Sequence, residues 1–137
     1  MAQLGDHVDK GTFSQILEMD EDGHDFSKPL VVGFFDQATE TFLRIEDALK
    51  ASDLNELSSL GHFLKGSSAT LGFTKIQESC QIIQQYGHRL TTESTPEDDE
   101  EVCLKKISEA LEKAKVDTKE LQKRMMAFFG LLDTNIH

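Results

Sequence analysis

Between Leu104 and Phe128, the residues Leu104, Ile107, Leu111, Ala114, Thr118, Leu121, Met125 and Phe128 follow one another at alternating steps of three and four. That spacing closes on one side of a helix and on neither face of a strand. One long amphipathic helix, from about residue 97 to 129, therefore dominates the C-terminal part of the chain. Its stripe has two ways to leave water. It can pair with a second copy as a coiled coil, or other helices of the same chain can cover it.

The remaining sequence supplies that cover. Strand signals are nearly absent, and the β-branched pair Val31-Val32 lies within a helical pattern. A short amphipathic helix is expected over 12–19, bearing Phe13, Ile16, Leu17 and Met19 and ending in the acidic loop Asp20-Glu21-Asp22-Gly23. A second helix opens with Asp25 or Ser27 as N-cap, accommodates Pro29 in its first turn and continues to about Ala51. In its first half Leu30, Val31, Val32, Phe34 and Phe35 wrap most of the circumference, so that end is buried all round or turns some residues to a partner.

A third helix starts at Ser52 or Asp53, with Glu56 at capping-box spacing from Asp53, and runs to about Thr70 before Gly72. A fourth spans about 73–90, and Pro96 suits the first turn of the fifth. The expected fold class is all-α: an up-down-up-down four-helix bundle with a short extra N-terminal helix. The expected bounds are a bundle over 12–132, a flexible N-terminal tail over 1–11 and a C-terminal tail over 133–137.

Charge removes several classes of function. Lys plus Arg number 14 against 25 Asp plus Glu, a net charge of −11 over 137 residues. Nucleic-acid binding requires clustered cations that displace counterions, and anionic membrane repels such a chain, so neither partner is expected. No apolar run reaches the ~18 residues of a bilayer span, and the polar N-terminus carries no secretory signal. Cys80 and Cys103, without CxxC spacing, read as reduced thiols of an intracellular protein.

The third helix carries the least ordinary geometry. With Leu64 set at zero and about 100° per residue, Leu57, Leu60, Ser68 and Leu71 fall within roughly 40° and define the core face. His62 falls about 160° away, toward solvent. Its neighbours at i+3, i+4 and i+7 are Lys65, Gly66 and Ala69. A mid-helix Gly costs about 1 kcal/mol relative to Ala. Here it clears space beside an exposed imidazole with an ammonium one turn away, which suits an incoming tetrahedral anion; the bland alternative is an ordinary surface histidine.

Leu60-Gly61-His62-Phe63-Leu64-Lys65-Gly66-Ser67-Ser68-Ala69-Thr70-Leu71-Gly72 resembles the signature of histidine-containing phosphotransfer (HPt) domains, His-x-Leu-Lys-Gly-Ser-Ser-x-x-x-Gly. Glu18-Met19-Asp20, Asp25-Phe26-Ser27-Lys28 and Phe35-Asp36-Gln37-Ala38 further resemble fungal single-domain members that shuttle phosphate in osmosensing relays.

The resemblance implies a phosphorelay intermediate with no independent enzymatic activity. His62 would accept a phosphoryl group from an aspartyl phosphate of a hybrid kinase's receiver domain and pass it to the aspartate of a response regulator. Lys65 would hold phosphoryl oxygens, Gly66 and Ala69 would leave access, and Ser67 would support the helix. Gln84 matches a glutamine near the phosphohistidine, and Gln37 a residue that orients the imidazole. Where close relatives place an Arg, this chain has His88 followed by Arg89, so His88, Arg89 or neither supplies the second positive charge. Mg²⁺ would sit on the receiver; the chain itself is expected to bind no cofactor or metal.

The resemblance also places an apolar docking patch, here Ile16, Met19, Phe26, Leu30 and Phe34, beside the histidine. It implies a monomer found in cytoplasm and nucleus, although no basic import signal is evident. A helical scaffold built on the last helix is the competing reading. A carboxylate-bridged di-metal bundle fails, because it needs inward Glu-x-x-His pairs on two helices, and the one such pair, Glu21 and His24, lies in a loop. A sensor-kinase dimerisation helix lacks its His-Glu/Asp start, since Phe63 follows His62. His7, His24 and His137 have no helical partner that would complete a ligand set, while Gln77, Gln81, Gln84 and His88 share one polar face of the fourth helix.

Overall fold

A computed structural model describes residues 2–130. A short 3₁₀ segment, Ala2–His7, precedes five helices: α1 (Lys10–Leu17), α2 (Ser27–Lys50), α3 (Leu54–Leu71), α4 (Thr74–Gly87) and α5 (Glu100–Phe128). The four long helices form the expected bundle, with α3 packed against α2 and α4, and α5 closing the ring against α4 and α2.

Helix ends follow local chemistry. The Asp9 carboxylate accepts from the Gly11 and Thr12 amides, Asp53 from Glu56, and Asp99 from Glu101 and Val102. Each satisfies amide groups that have no partner inside the helix. Gly72 ends α3 in the left-handed region (φ 78°), where its own amide reaches Ala69 and the Phe73 amide reaches Ser68.

Three ends depart from expectation. The first turn of α2 is capped by neither Asp25 nor Ser27; Phe26 precedes the helix, and Asp20 accepts from the Phe26 and Ser27 amides at 2.8 and 2.7 Å. A carboxylate six residues upstream does the capping because the acidic loop folds back over the helix start. Helix α4 stops at Gly87, earlier than expected, because Arg89 turns the chain at φ 59°. Pro96 then pairs with Leu90 in an isolated bridge and lies outside α5.

The core answers the question left by α2. Val31, Phe34 and Phe35 are buried, while Leu30 and Val32 stay exposed at 39% and 45%. Phe34 packs edge-on against Phe73 at 5.0 Å and Phe35 stacks on the same ring at 6.2 Å. Phe13 joins Phe73 to Phe128, completing an aromatic cluster at one end of the bundle. Ile107, Leu111, Ala114, Thr118, Leu121 and Met125 of α5 are buried against the chain's own helices. The stripe that raised a coiled coil is thus occupied inside the chain.

The expectation of a free tail over 1–11 does not match the packing of Leu4 (0% exposed) and Val8 (6%), which join the core. Thr74 ties the segment down by donating its hydroxyl to the Asp6 carbonyl. The short run lacked a periodic pattern to reveal this. The C-terminal tail over 133–137, the bundle's end at 132 and His137 lie outside the described residues.

Candidate functional site

The α3–α4 seam sets the site's frame. A Cβ on Gly61 would stand 2.9 Å from the Gln84 amide nitrogen, and one on Gly87 would stand 2.6 Å from the Ser58 nitrogen. The two helices therefore touch backbone to backbone, and this brings the polar face of α4 alongside the turn of α3 that carries His62.

His62 is exposed, and none of the hydrogen bonds or ion pairs among the described residues uses its ring. Phe63 beside it is 49% exposed. A Cβ on Gly66 would meet nothing within 4 Å. The missing side chain at 66 therefore serves no contact within the chain, whereas the missing ones at 61 and 87 do. Ala69 and Ser67 are half-buried on the next turn.

Lys65 donates its ammonium to the Gln81 side-chain carbonyl at 2.6 Å. Thr74, Gln77, Glu78 and Ile82 complete the groove around that contact. On the other flank, Gln37 lines two grooves, one with Leu60 and Phe63 and one with Ser67 and Thr70. Gln84 follows the tight Gly61 contact, and its Oε1 is buried without a hydrogen-bond partner. Gln37 and Gln84 thus lie on the two helices packed against α3.

The two residues offered for the second positive charge separate. His88 places Nε2 2.8 Å from the Ser58 hydroxyl, one helical turn before His62. Arg89 points elsewhere: it reaches the Glu100 carboxylate at 3.7 Å and the Asp98 carbonyl at 3.5 Å, at the start of α5. The left-handed turn at 89 reverses the direction that a continued helix would have set, so Arg89 is withdrawn from the site.

The apolar set also divides. Met19, Phe26 and Leu30 are exposed at 59%, 42% and 39%, and Ile16 is half-buried. Phe34, expected among them, is only 4% exposed. Its ring belongs to the aromatic core and contributes only the floor of a groove of about 440 Å³ with Pro29, Leu30, Gly33 and Ser67.

The loop bearing Met19 and Phe26 is held by Asp20, which also accepts from the Ser27 hydroxyl at 2.6 Å and from His24 at 3.3 Å. Burial pushes the Asp20 pKa up, but hydrogen bonds from Ser27, Phe26 and His24 outweigh it and hold the carboxyl at about 2. The His24 ring rests on Phe129 at 4.8 Å, tying the loop to the end of α5.

Sequence reasoning gave Asp20, His24, Ser58, Gly61 and Gly87 no role in the site. A Gly in mid-helix at 61 was an available signal; the partners of Asp20 and Ser58 were not, because they are fixed by packing. No group of three or more His, Cys, Asp or Glu able to hold a metal occurs among the described residues, and no helix there is long and apolar enough to cross a membrane.

A family model, the Hpt domain, matches residues 29–125, the stretch that carries the outward His62 and the half-buried Lys65 one turn on. The chain belongs to the Hpt domain family. Multistep phosphorelay regulator 1 of Schizosaccharomyces pombe is 47% identical over 106 residues, covering 76% of this chain and 36% of that protein. Phosphorelay intermediate protein YPD1 of Candida albicans is 54% identical over 83 residues, or 61% of this chain and 45% of the relative. This Hpt chain therefore spans about a third to a half of the curated relatives it matches. The Saccharomyces cerevisiae histidine phosphotransfer protein Ypd1, solved with the receiver domain of its downstream response regulator Ssk1, superposes with TM-score 0.81 at 30% identity, covering 91% of this chain and 95% of that one.

Proposed function

We propose that this Hpt domain is a phosphorelay intermediate whose phosphoacceptor is His62. The observation that carries the reading is the exposed, unengaged imidazole beside the open space at Gly66, in a chain whose Hpt match spans the site. A neutral imidazole nitrogen attacks the phosphorus of a receiver's aspartyl phosphate. An N–P bond forms, the P–O bond to the aspartate breaks, the carboxylate leaves and the imidazole gives up its proton. The second transfer reverses the step onto the aspartate of a response regulator.

The chain supplies a poised acceptor, with Lys65 neutralising charge on the phosphoryl oxygens and Gln84 and Gln37 flanking the ring. Mg²⁺ and the remaining groups of the reaction belong to the receiver, so the domain acts as an intermediate and has no kinase or phosphatase activity of its own. His88, rather than Arg89, lies on the site's side of α4, with Nε2 against the Ser58 hydroxyl. The partners are the receivers of a hybrid histidine kinase and of response regulators. Receiver docking by Ypd1, as its complex with Ssk1 describes, supports that choice. They meet the surface of Ile16, Met19, Phe26 and Leu30, an apolar centre with a polar rim. The domain works as a monomer, and in the cytoplasm and nucleus, the latter carried by the family resemblance alone.

Incubation with a phosphorylated receiver tests the reading. Acid-labile, alkali-stable label should appear on the chain and vanish in His62→Gln. Label that survives in that variant, or no label on the parent, would sink it. Ile16→Asp and Met19→Asp should slow transfer with helicity unchanged; unaltered transfer would remove this docking surface. A helical scaffold would instead sediment as a dimer, and fractionation of cells reads the localisation.

A further inference from the structure

Most cations of the chain that have a partner meet a carboxylate: Arg44 on Glu40, Lys113 on Asp117, Lys115 on Glu46 and Arg124 on Glu120. Lys65 differs. Its 2.6 Å partner is the neutral carbonyl oxygen of Gln81, and no ion pair joins it to a carboxylate among the described residues, although Glu78 lines the same groove. Both side chains are half-buried, so the contact is shielded enough to hold the ammonium against α4. A carboxylate at 81 would cancel the charge as it fixed the position. An amide fixes the position and leaves the full charge available.

We propose that Gln81 is a positioning residue that parks the Lys65 ammonium on α4 and releases it when His62 carries a phosphoryl group. The inference rests on the phosphorelay reading of His62 and assigns the resting partner of Lys65. Lys65 lies three residues after His62, on the neighbouring turn of the same face. A phosphoryl dianion there outcompetes a neutral amide for the ammonium, since it adds the Coulomb attraction of opposite full charges that an amide dipole lacks. The ammonium then lengthens the life of phosphohistidine in two ways. It pairs with the phosphoryl oxygens, and it opposes the proton that the imidazole must take up as the N–P bond breaks.

Phosphohistidine lifetime can be read without any receiver. Phosphoramidate serves as donor: the imidazole nitrogen attacks phosphorus, the donor's P–N bond breaks, and ammonia leaves with the imidazole proton. In the decay that follows, water attacks phosphorus, the N–P bond breaks, the imidazole nitrogen regains a proton and inorganic phosphate departs. Half-lives are compared for the parent, Gln81→Glu and Gln81→Leu, each also in a Lys65→Ala background, with unfolding midpoints measured alongside.

Gln81→Glu should shorten the half-life about threefold, as expected when a surface carboxylate competes for the ammonium. Gln81→Leu, which frees it, should lengthen the half-life about twofold. Both effects should vanish without Lys65. Shifts of the same sign in the two variants, no shift in either, or shifts that persist in Lys65→Ala would overturn the proposal. Transfer from a phosphorylated receiver is measured separately on the parent. Its failure would end the relay reading, while the half-lives still decide Gln81.

Discussion

Gly61 and Gly66 lie on the same helix, five residues apart, and their surroundings are opposite. Around Gly61 the Gln84 nitrogen, the Ile83 side chain and the Cys80 carbonyl leave no room for a methyl group; around Gly66 nothing lies within 4 Å. Each glycine costs the helix about 1 kcal/mol against Ala. At the seam that cost is offset by the close approach of α4. On the open face nothing in the chain offsets it, so the reason for Gly66 must lie outside the chain. An interior glycine is explained by its contacts and an exposed one by a visitor.

The largest test of this contrast is at the seam. Gly87→Ala would drive a Cβ to 2.6–2.8 Å from the Ser58 nitrogen, Cα and Cβ, which cannot rotate away. Forcing the helices apart should cost about 3 kcal/mol, at the upper end for overpacking, read as a lowered urea midpoint. An unchanged midpoint would break the comparison. At the open face, Gly66→Gln should raise the midpoint slightly, Gln being a better helix former than Gly, and slow transfer from a receiver about tenfold, a loss of about 1.4 kcal/mol of docking. Gly66→Ala sharpens the point with a change of opposite sign, raising stability by about 1 kcal/mol. A seam-like loss at 66 would show that a contact within the chain had been overlooked.

Smaller effects come from titration. The Asp20 carboxyl is held at about 2 against an ordinary 3.8. A depressed carboxyl stabilises the fold above its unfolded pKa, and that stability is lost as pH falls through the folded one. Between pH 3.8 and about 2 the loop carrying Met19 and Phe26 should therefore loosen before the α3–α4 seam does, seen as amide exchange that rises first at the start of α2. Asp20→Asn should remove this order of events.

The smallest expected change is at the N-terminus. Burial, then Lys75 and Arg124, lower the His7 pKa below 6.5, with Asp117 and Glu120 opposing, and its Nδ1 is buried without a partner. Protonation is then paid in lost docking. As pH falls below 6.5 toward the lowered value, amide exchange near Leu4 and Val8 should rise while the seam is unaffected.

Much of the site was legible because it is local. The outward direction of His62, Lys65 one turn on and the small residues at 66 and 69 all follow from spacing within a single helix. Phe34 misled because its position in the apolar run of α2 does not say which side the aromatic cluster around Phe73 occupies. Arg89 misled because a helix continued through it would have aimed it at the site, whereas its positive φ turns it to Glu100.

The sequence by itself determined the number and order of the long helices, the cap of α3 at Asp53, and which face of α3 meets solvent. Each depends on bonds and side-chain directions within a few residues. Only the tertiary structure decided that Asp20 caps α2, that Ser58 holds His88, that Leu4 is core and that Lys65 rests on Gln81. Those pairings depend on how the helices rotate and slide against one another, and periodicity within one helix carries no information about its neighbour's register.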